Sequence, residues 1–122
     1  MKEIAPTMPV RDLERAIAFY QDMLGFATVF HNPAVFALLR REGVRIGLQH
    51  ANKRPPGPGN CYIWVEDIRS VYRELRDKGV SFEYDIAQRD EYDLTDFVLH
   101  DLDGNFIGIG GEESVQRTYP GH

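Results

Sequence analysis

The chain has 122 residues, 43% of them hydrophobic, and a formal net charge of −5. That is the size of one structural domain with enough apolar material for a core, and no apolar run is long enough to span a membrane. An acidic chain with no basic stripe is a poor fit to nucleic acid, and the single cysteine, Cys61, excludes an internal disulfide and fits a reducing cytoplasm.

In chain order, Met1-Lys2-Glu3 is expected to lead straight into a short strand, with no secretory leader pattern. Asp12 then stands where an N-cap accepts hydrogen bonds from the free amides of a helix. Leu13, Ala16, Ile17, Tyr20, Met23 and Leu24 keep helical spacing, and Gly25 sits where a left-handed C-terminal cap is wanted. Alternating segments at 26–31, 34–41 and 44–50 read as strands, with Val44, Ile46 and Leu48 on one face of the last. The stretch 51–59, with three prolines and two glycines, can hold neither helix nor central strand and reads as a linker.

The second half repeats the first. A shift of about 55 residues puts Val10 on Val65, Asp12 on Asp67, Leu13 on Ile68, Ala16 on Val71, Ile17 on Tyr72 and Tyr20 on Leu75. One deletion then aligns Gly25 with Gly79. Strands are expected at 80–86, 94–100 and 105–111, with Asp103-Gly104 as the tight turn before the last. The chain therefore divides into a first βαβββ module (1–50), the linker (51–59), a second βαβββ module (60–111) and a polar tail (112–122). Both Asp12 and Asp67 read as caps rather than catalytic acids. A site built between two copies of one unit is the place to look for function.

A duplicated βαβββ unit resembles the vicinal oxygen chelate superfamily of glyoxalase I, extradiol dioxygenases, fosfomycin-resistance enzymes and bleomycin-resistance proteins. The resemblance is carried by P-V-R-D-L-E-R-A-I-A-F-Y-Q-D-M-L-G-F from Pro9, W-V-E-D-I from Trp64 and F-V-L-H-D-L-D-G-N-F-I from Phe97. The last is similar to the family's D-P-D-G-N turn, with Leu102 in place of proline. The resemblance implies an α+β fold of paired modules, each curling into an incomplete barrel that together form a cup. Enzymatic members hold a divalent metal in that cup with one residue from each of four strands. Carried onto this chain, those positions fall on Ala5, Gly47, Asn60 and Gly108, of which only Asn60 has a side-chain donor atom. The resemblance therefore implies no metal and no cofactor here. Of the histidines, His31, His50, His100 and the terminal His122, none has metal-binding spacing, and no nucleophile elbow or phosphate-binding glycine loop is present.

Strand parity sends Asn60, Tyr62 and Trp64 toward the cup and Cys61, Ile63 and Val65 toward the helices. It likewise places Glu3 and Thr7 beside Ala5, Arg45 and Gln49 beside Gly47, and Phe106 and Gly110 beside Gly108. The glycines leave room in this reading, and the aromatic rings can stack on a planar guest. The pattern looks like the bleomycin-resistance branch, which binds an antibiotic without altering it. That branch implies a homodimer, with exchange of the first strand near Pro6 as one arrangement, and the acidic chain suits a cationic ligand. Asp90, Glu91 and Asp93 at the cup's mouth would add to this if they face inward. The expected function is sequestration of an aromatic or amphipathic small molecule by Tyr62, Trp64, Arg45, Gln49, Phe106 and Asn60 in the cytoplasm, with no nucleic-acid or membrane partner. The alternatives are a lyase, isomerase or dioxygenase with displaced metal ligands, and a degenerate interaction subunit with no ligand.

Overall fold

A computed structural model describes residues 1–51, 59–89 and 94–112. The first module runs β1 (Thr7–Val10), α1 (Leu13–Asp22), β2 (Ala27–Asn32), β3 (Phe36–Arg41) and β4 (Val44–His50). The second runs β5 (Asn60–Trp64), α2 (Ile68–Asp77), β6 (Phe82–Arg89), β7 (Leu94–His100) and β8 (Phe106–Gly111). Each module is a four-stranded mixed sheet, ordered β1-β4-β3-β2 and β5-β8-β7-β6, and neither sheet closes into a barrel. The first and last strands of each sheet pair in parallel and the others antiparallel.

Local chemistry explains both helices. The Asp12 carboxylate accepts from the Arg15 amide and that of Asp67 from the Ser70 amide, each at 3.1 Å. Gly25 and Gly79 end the helices at φ +76° and +86°, a region that β-carbon sterics deny to most residues. The apolar stripe of α1 buries Leu13, Ala16, Ile17 and Tyr20 against its sheet, and α2 buries Ile68 and Leu75.

The register carries the repeat into three dimensions. Thr7 pairs with Gly47 and Gly47 with Leu38; in the second module Tyr62 pairs with Gly108 and Gly108 with Val98. Val10, Leu39, Ile46 and Leu48 of the first sheet and Phe97, Leu99, Ile107 and Ile109 of the second turn inward to one shared core. Among the described residues, no helix covers the opposite face of either sheet.

The modules are joined by two reciprocal clamps. The turn after β7 presents Asp101, buried, to Tyr20 of α1: the Tyr20 hydroxyl donates to its carboxylate at 2.7 Å. The Asn105 side-chain amide donates to Asp101 at 2.8 Å and to the Pro9 carbonyl at 3.0 Å, while its own carbonyl accepts from the Gly59 amide at 2.6 Å. The residue that the register relates to Asp101 is Arg41, at the end of β3. It forks onto Glu74 of α2 at 2.7 and 2.8 Å and donates to the Leu24 carbonyl at 2.9 Å. Each module thus grips the other's helix with the same position of its own hairpin.

Three strands differ by more than a single residue from their expected spans. The first begins only at Thr7, so Ala5 lies ahead of it, exposed. Strand β3 begins at Phe36 rather than 34, because the turn closed by the Val35 amide on the Asn32 carbonyl holds the preceding residues. Strand β6 is shifted to Phe82–Arg89, with irregular register between Phe82 and Ala87. Such bulges reset the inside–outside alternation.

Candidate functional site

The open face of the second sheet is aromatic. Asn60, Tyr62 and Trp64 alternate outward from β5, with Tyr62 50% and Trp64 55% exposed, while Cys61 and Ile63 pack against the core. Phe106 stands beside Asn60 in register, and Asp96 beside Gly110, which pairs with Trp64. The structure brings Tyr62, Trp64, Phe106 and Asn60 to one face, as the strand parity requires. Arg45 and Gln49 lie on the open face of the other sheet, flanking Gly47 along β4.

The glycines do not leave empty space, and this corrects the sequence expectation. A β-carbon on Gly108 would meet the Tyr62 ring at 2.9 Å, and one on Gly110 would collide with the Tyr62 hydroxyl. Tyr62 therefore lies down across both glycines, one ring face on the sheet backbone and the other toward solvent. In the first sheet the Phe36 ring takes the space over Gly47, where a β-carbon would meet it at 2.9 Å and the Thr7 hydroxyl at 3.1 Å. The glycines are seats for rings.

This bears on the metal that the fold can hold. Ala5, Gly47 and Gly108 offer no donor atom, Ala5 lies outside β1, and rings cover both glycines. These positions do not fit a divalent cation. Among the described residues, no group of three or more His, Cys, Asp or Glu side chains comes together as a ligand set. His31 faces α1, its Nε2 3.1 Å from Glu14 Oε1 but without hydrogen-bond alignment, so the contact is an ion pair only when the ring is protonated. His100 lies 3.7 Å from Glu83.

Two residues of the site were not singled out in the sequence. Asp96 holds Arg89 at 2.6 Å and receives a long contact of 3.4 Å from the Tyr62 hydroxyl. Partial burial, then the Asp96 charge, raises the Tyr62 phenol above its ordinary pKa, so it stays a neutral ring at physiological pH. The parity of β7 put Asp96 on this face; what hid it was the partner, because Arg89 lies on a strand whose span and register differ from the expected ones. Cys61 packs against the core, where burial, then Asp101, pushes its thiol up to about 11 and disfavours the thiolate. The acidic positions Asp90, Glu91 and Asp93 lie outside the described residues, as do linker residues 52–58 and the tail from 113.

A separate cleft lies elsewhere. A cavity of about 650 Å³ opens between the modules on the helix side, walled by Leu24, Phe26, Val44, Ile63, Leu75 and Ile109 and bordered by Trp64. Among the described residues no helix is long and apolar enough to cross a membrane.

Comparison with known proteins agrees with this architecture. A bleomycin resistance protein from Geobacillus stearothermophilus is 31% identical over 127 aligned residues, which cover 89% of this chain and 96% of the relative. The crystal structure of a bleomycin resistance determinant encoded on transposon Tn5 superposes with a TM-score of 0.77 at 21% identity, covering 93% of this chain and 99% of that one. The bleomycin-binding protein of Streptomyces verticillus, solved with copper(II)-bleomycin, gives 0.72 at 20% identity, covering 93% and 99%. Residues 4–109 match the profile of the Glyoxalase/Bleomycin resistance protein/Dioxygenase superfamily, and the chain belongs to that family.

Proposed function

We propose that this protein sequesters an aromatic or amphipathic small molecule, with bleomycin-type antibiotics as first candidates, and that it does so without metal and without chemical change to the guest. The observation that carries this reading is Tyr62, laid flat on Gly108 and Gly110 with its upper face open beside half-exposed Trp64. Such a ring is already ordered before a guest arrives, so stacking loses little side-chain entropy. Each aromatic contact adds about 0.5–1.5 kcal/mol beyond the apolar area buried. Arg45, Gln49 and Asn60 orient the polar groups of the guest, and Phe106 extends the apolar floor. Because bleomycin is what the named relatives resist or bind, it is the ligand to try first.

We place the protein in the cytoplasm as a homodimer in which the open face of one protomer's first sheet closes over the second sheet of its partner. Two features support this. Phe30 and Tyr84, related by the register, are 55% and 61% exposed on sheet edges that would otherwise lie bare. Residues 1–5, ahead of β1, are also exposed, Ile4 to 90%. The repeat relates Ile4 to Gly59, which packs on Met8, Pro9 and Asn105. The counterparts of those three are Ile63, Trp64 and Val44, all lining the cavity between the modules. A segment exchanged near Pro6 would find its seat there.

The test is calorimetric titration with bleomycin. Trp64→Ala is expected to weaken binding by about tenfold or more with the melting temperature unchanged, as befits loss of a stacking ring. Equal affinity in that variant would sink the assignment. The family also contains lyases and dioxygenases, so the competing reading is an enzyme whose metal sits on other donors. A metal-to-chain ratio near one after incubation with zinc, nickel, manganese and iron would favour it.

A further inference from the structure

Although the chain is acidic, the open face of the first sheet is not. Strands β3 and β4 set Arg40 directly opposite Arg45 in antiparallel register, both on the face away from the core. Their strand neighbours on that face, Ala27, Phe36, Leu38, Gly47, Gln49 and Thr7, carry no charge. Like charges placed directly across a strand pair destabilise it, so the arrangement calls for an anion. The second module has Phe106 and His100 at the equivalent positions, so nothing in the fold itself demands arginines there.

The structure also shows the kind of group that answers this demand. Arg45 Nε meets the carboxylate of Glu3 at 3.1 Å, with both side chains about two-fifths exposed: 40% for Arg45 and 43% for Glu3. Glu3 is an exposed residue ahead of β1, so its carboxylate is a replaceable counterion beside Arg45. Arg40 is exposed and makes no ion pair among the described residues. A guanidinium offers its donors in a planar fork that matches a carboxylate, sulfonate or phosphate.

We infer that Arg40 and Arg45 form an oxyanion-binding pair, and that the preferred guest joins a planar ring to an anionic group. The inference rests on the stacking role given above to Tyr62 and Trp64 and on the homodimer proposed there: the ring lies on the second sheet of one protomer while the oxyanion replaces Glu3 on the first sheet of the other. The selectivity is opposite to that suggested by the chain's overall charge.

Two fluorescent probes separate the parts. 1-Anilinonaphthalene-8-sulfonate carries the anion; N-phenyl-1-naphthylamine has the same rings without it. The wild type is expected to bind the sulfonate about tenfold more tightly, a preference that added salt reduces. In an Arg40→Gln/Arg45→Gln variant the preference disappears, and the two probes bind with equal affinity. Glu3→Gln, which alters only the exposed counterion, should strengthen sulfonate binding. Equal binding of the two probes by the wild type would overturn the inference, as would a preference that survives the arginine double variant or a Glu3→Gln protein no tighter than wild type. Trp64→Ala should weaken both probes together. If it weakens neither, or if the wild type binds neither, the stacking role falls and the inference falls with it.

Discussion

The two modules share a skeleton and differ in what they hang on it. In the first, the open face carries Arg40, Arg45 and Gln49 around a glycine covered by Phe36; in the second it carries Tyr62, Trp64 and Phe106 around glycines covered by Tyr62. The clamps differ in the same spirit. The Asp101 clamp is buried, with its carboxylate accepting from Tyr20, from the Asn105 side chain and from the Asp103 and Asn105 backbone amides. The Arg41–Glu74 clamp is wet, its side chains 26% and 34% exposed. Duplication supplied two equivalent positions, and burial made one a structural linchpin and the other a modest surface contact.

The sharpest way to break this contrast is at Asp101. Asp101→Ala strands the Tyr20 hydroxyl, the Asn105 amide and two backbone amides, and should lower stability by on the order of 3–5 kcal/mol in urea denaturation. A loss below about 1 kcal/mol would mean that water replaces the carboxylate and that the clamps are alike. Next comes the ring seat. Gly108→Ala drives a methyl into Tyr62 and should cost about 1–3 kcal/mol, a loss largely relieved in a Tyr62→Ala background. Additive effects in the double variant would refute the seat.

The clamps should also fail at opposite ends of the pH scale. Burial, then Asp101, raises the Tyr20 pKa, so the Tyr20 contribution is complete below the ordinary tyrosine value of about 10 and is lost as pH rises past it. Tyr20→Phe, less stable at neutral pH, should lose less on going to alkaline pH than the wild type. The Arg41 hydrogen bond holds Glu74 below the usual carboxylate value. Its contribution is complete above that value and fades as pH falls through the lowered one. Because the pair is partly solvated, Glu74→Gln should lower stability by only about 0.5–1 kcal/mol at pH 7, a difference that vanishes in acid. A Glu74→Gln protein with an unchanged acid limb of its stability curve would show the ion pair to be energetically silent.

What could be read from the chain follows the range of the forces involved. Both helices were legible because capping by Asp12 and Asp67 and the left-handed glycines Gly25 and Gly79 act within a few residues. The sheets were legible where alternation is unbroken, as in β4, β5 and β7, and this placed Tyr62, Trp64 and Arg45 on open faces. Bulges defeated the reading of β6, since a single unpaired residue inverts every side chain beyond it. The clamps were illegible for another reason: Tyr20 and Asp101 are 81 residues apart, and nothing near either names the other. Nor could glycine be told apart as absence or as accommodation. Only the ring above Gly108 shows that a vacancy in sequence is an occupied volume in space.

That occupied volume also limits what position 108 can become. With Tyr62 settled over the backbone, no larger side chain enters there without displacing the ring. A histidine or glutamate at residue 108 would strike the ring, so Tyr62 must first shrink, and shrinking it would remove the stacking surface proposed above. A metal ligand at this position therefore takes two coordinated changes rather than one. The seated tyrosine acts as a lock on the backbone beneath it.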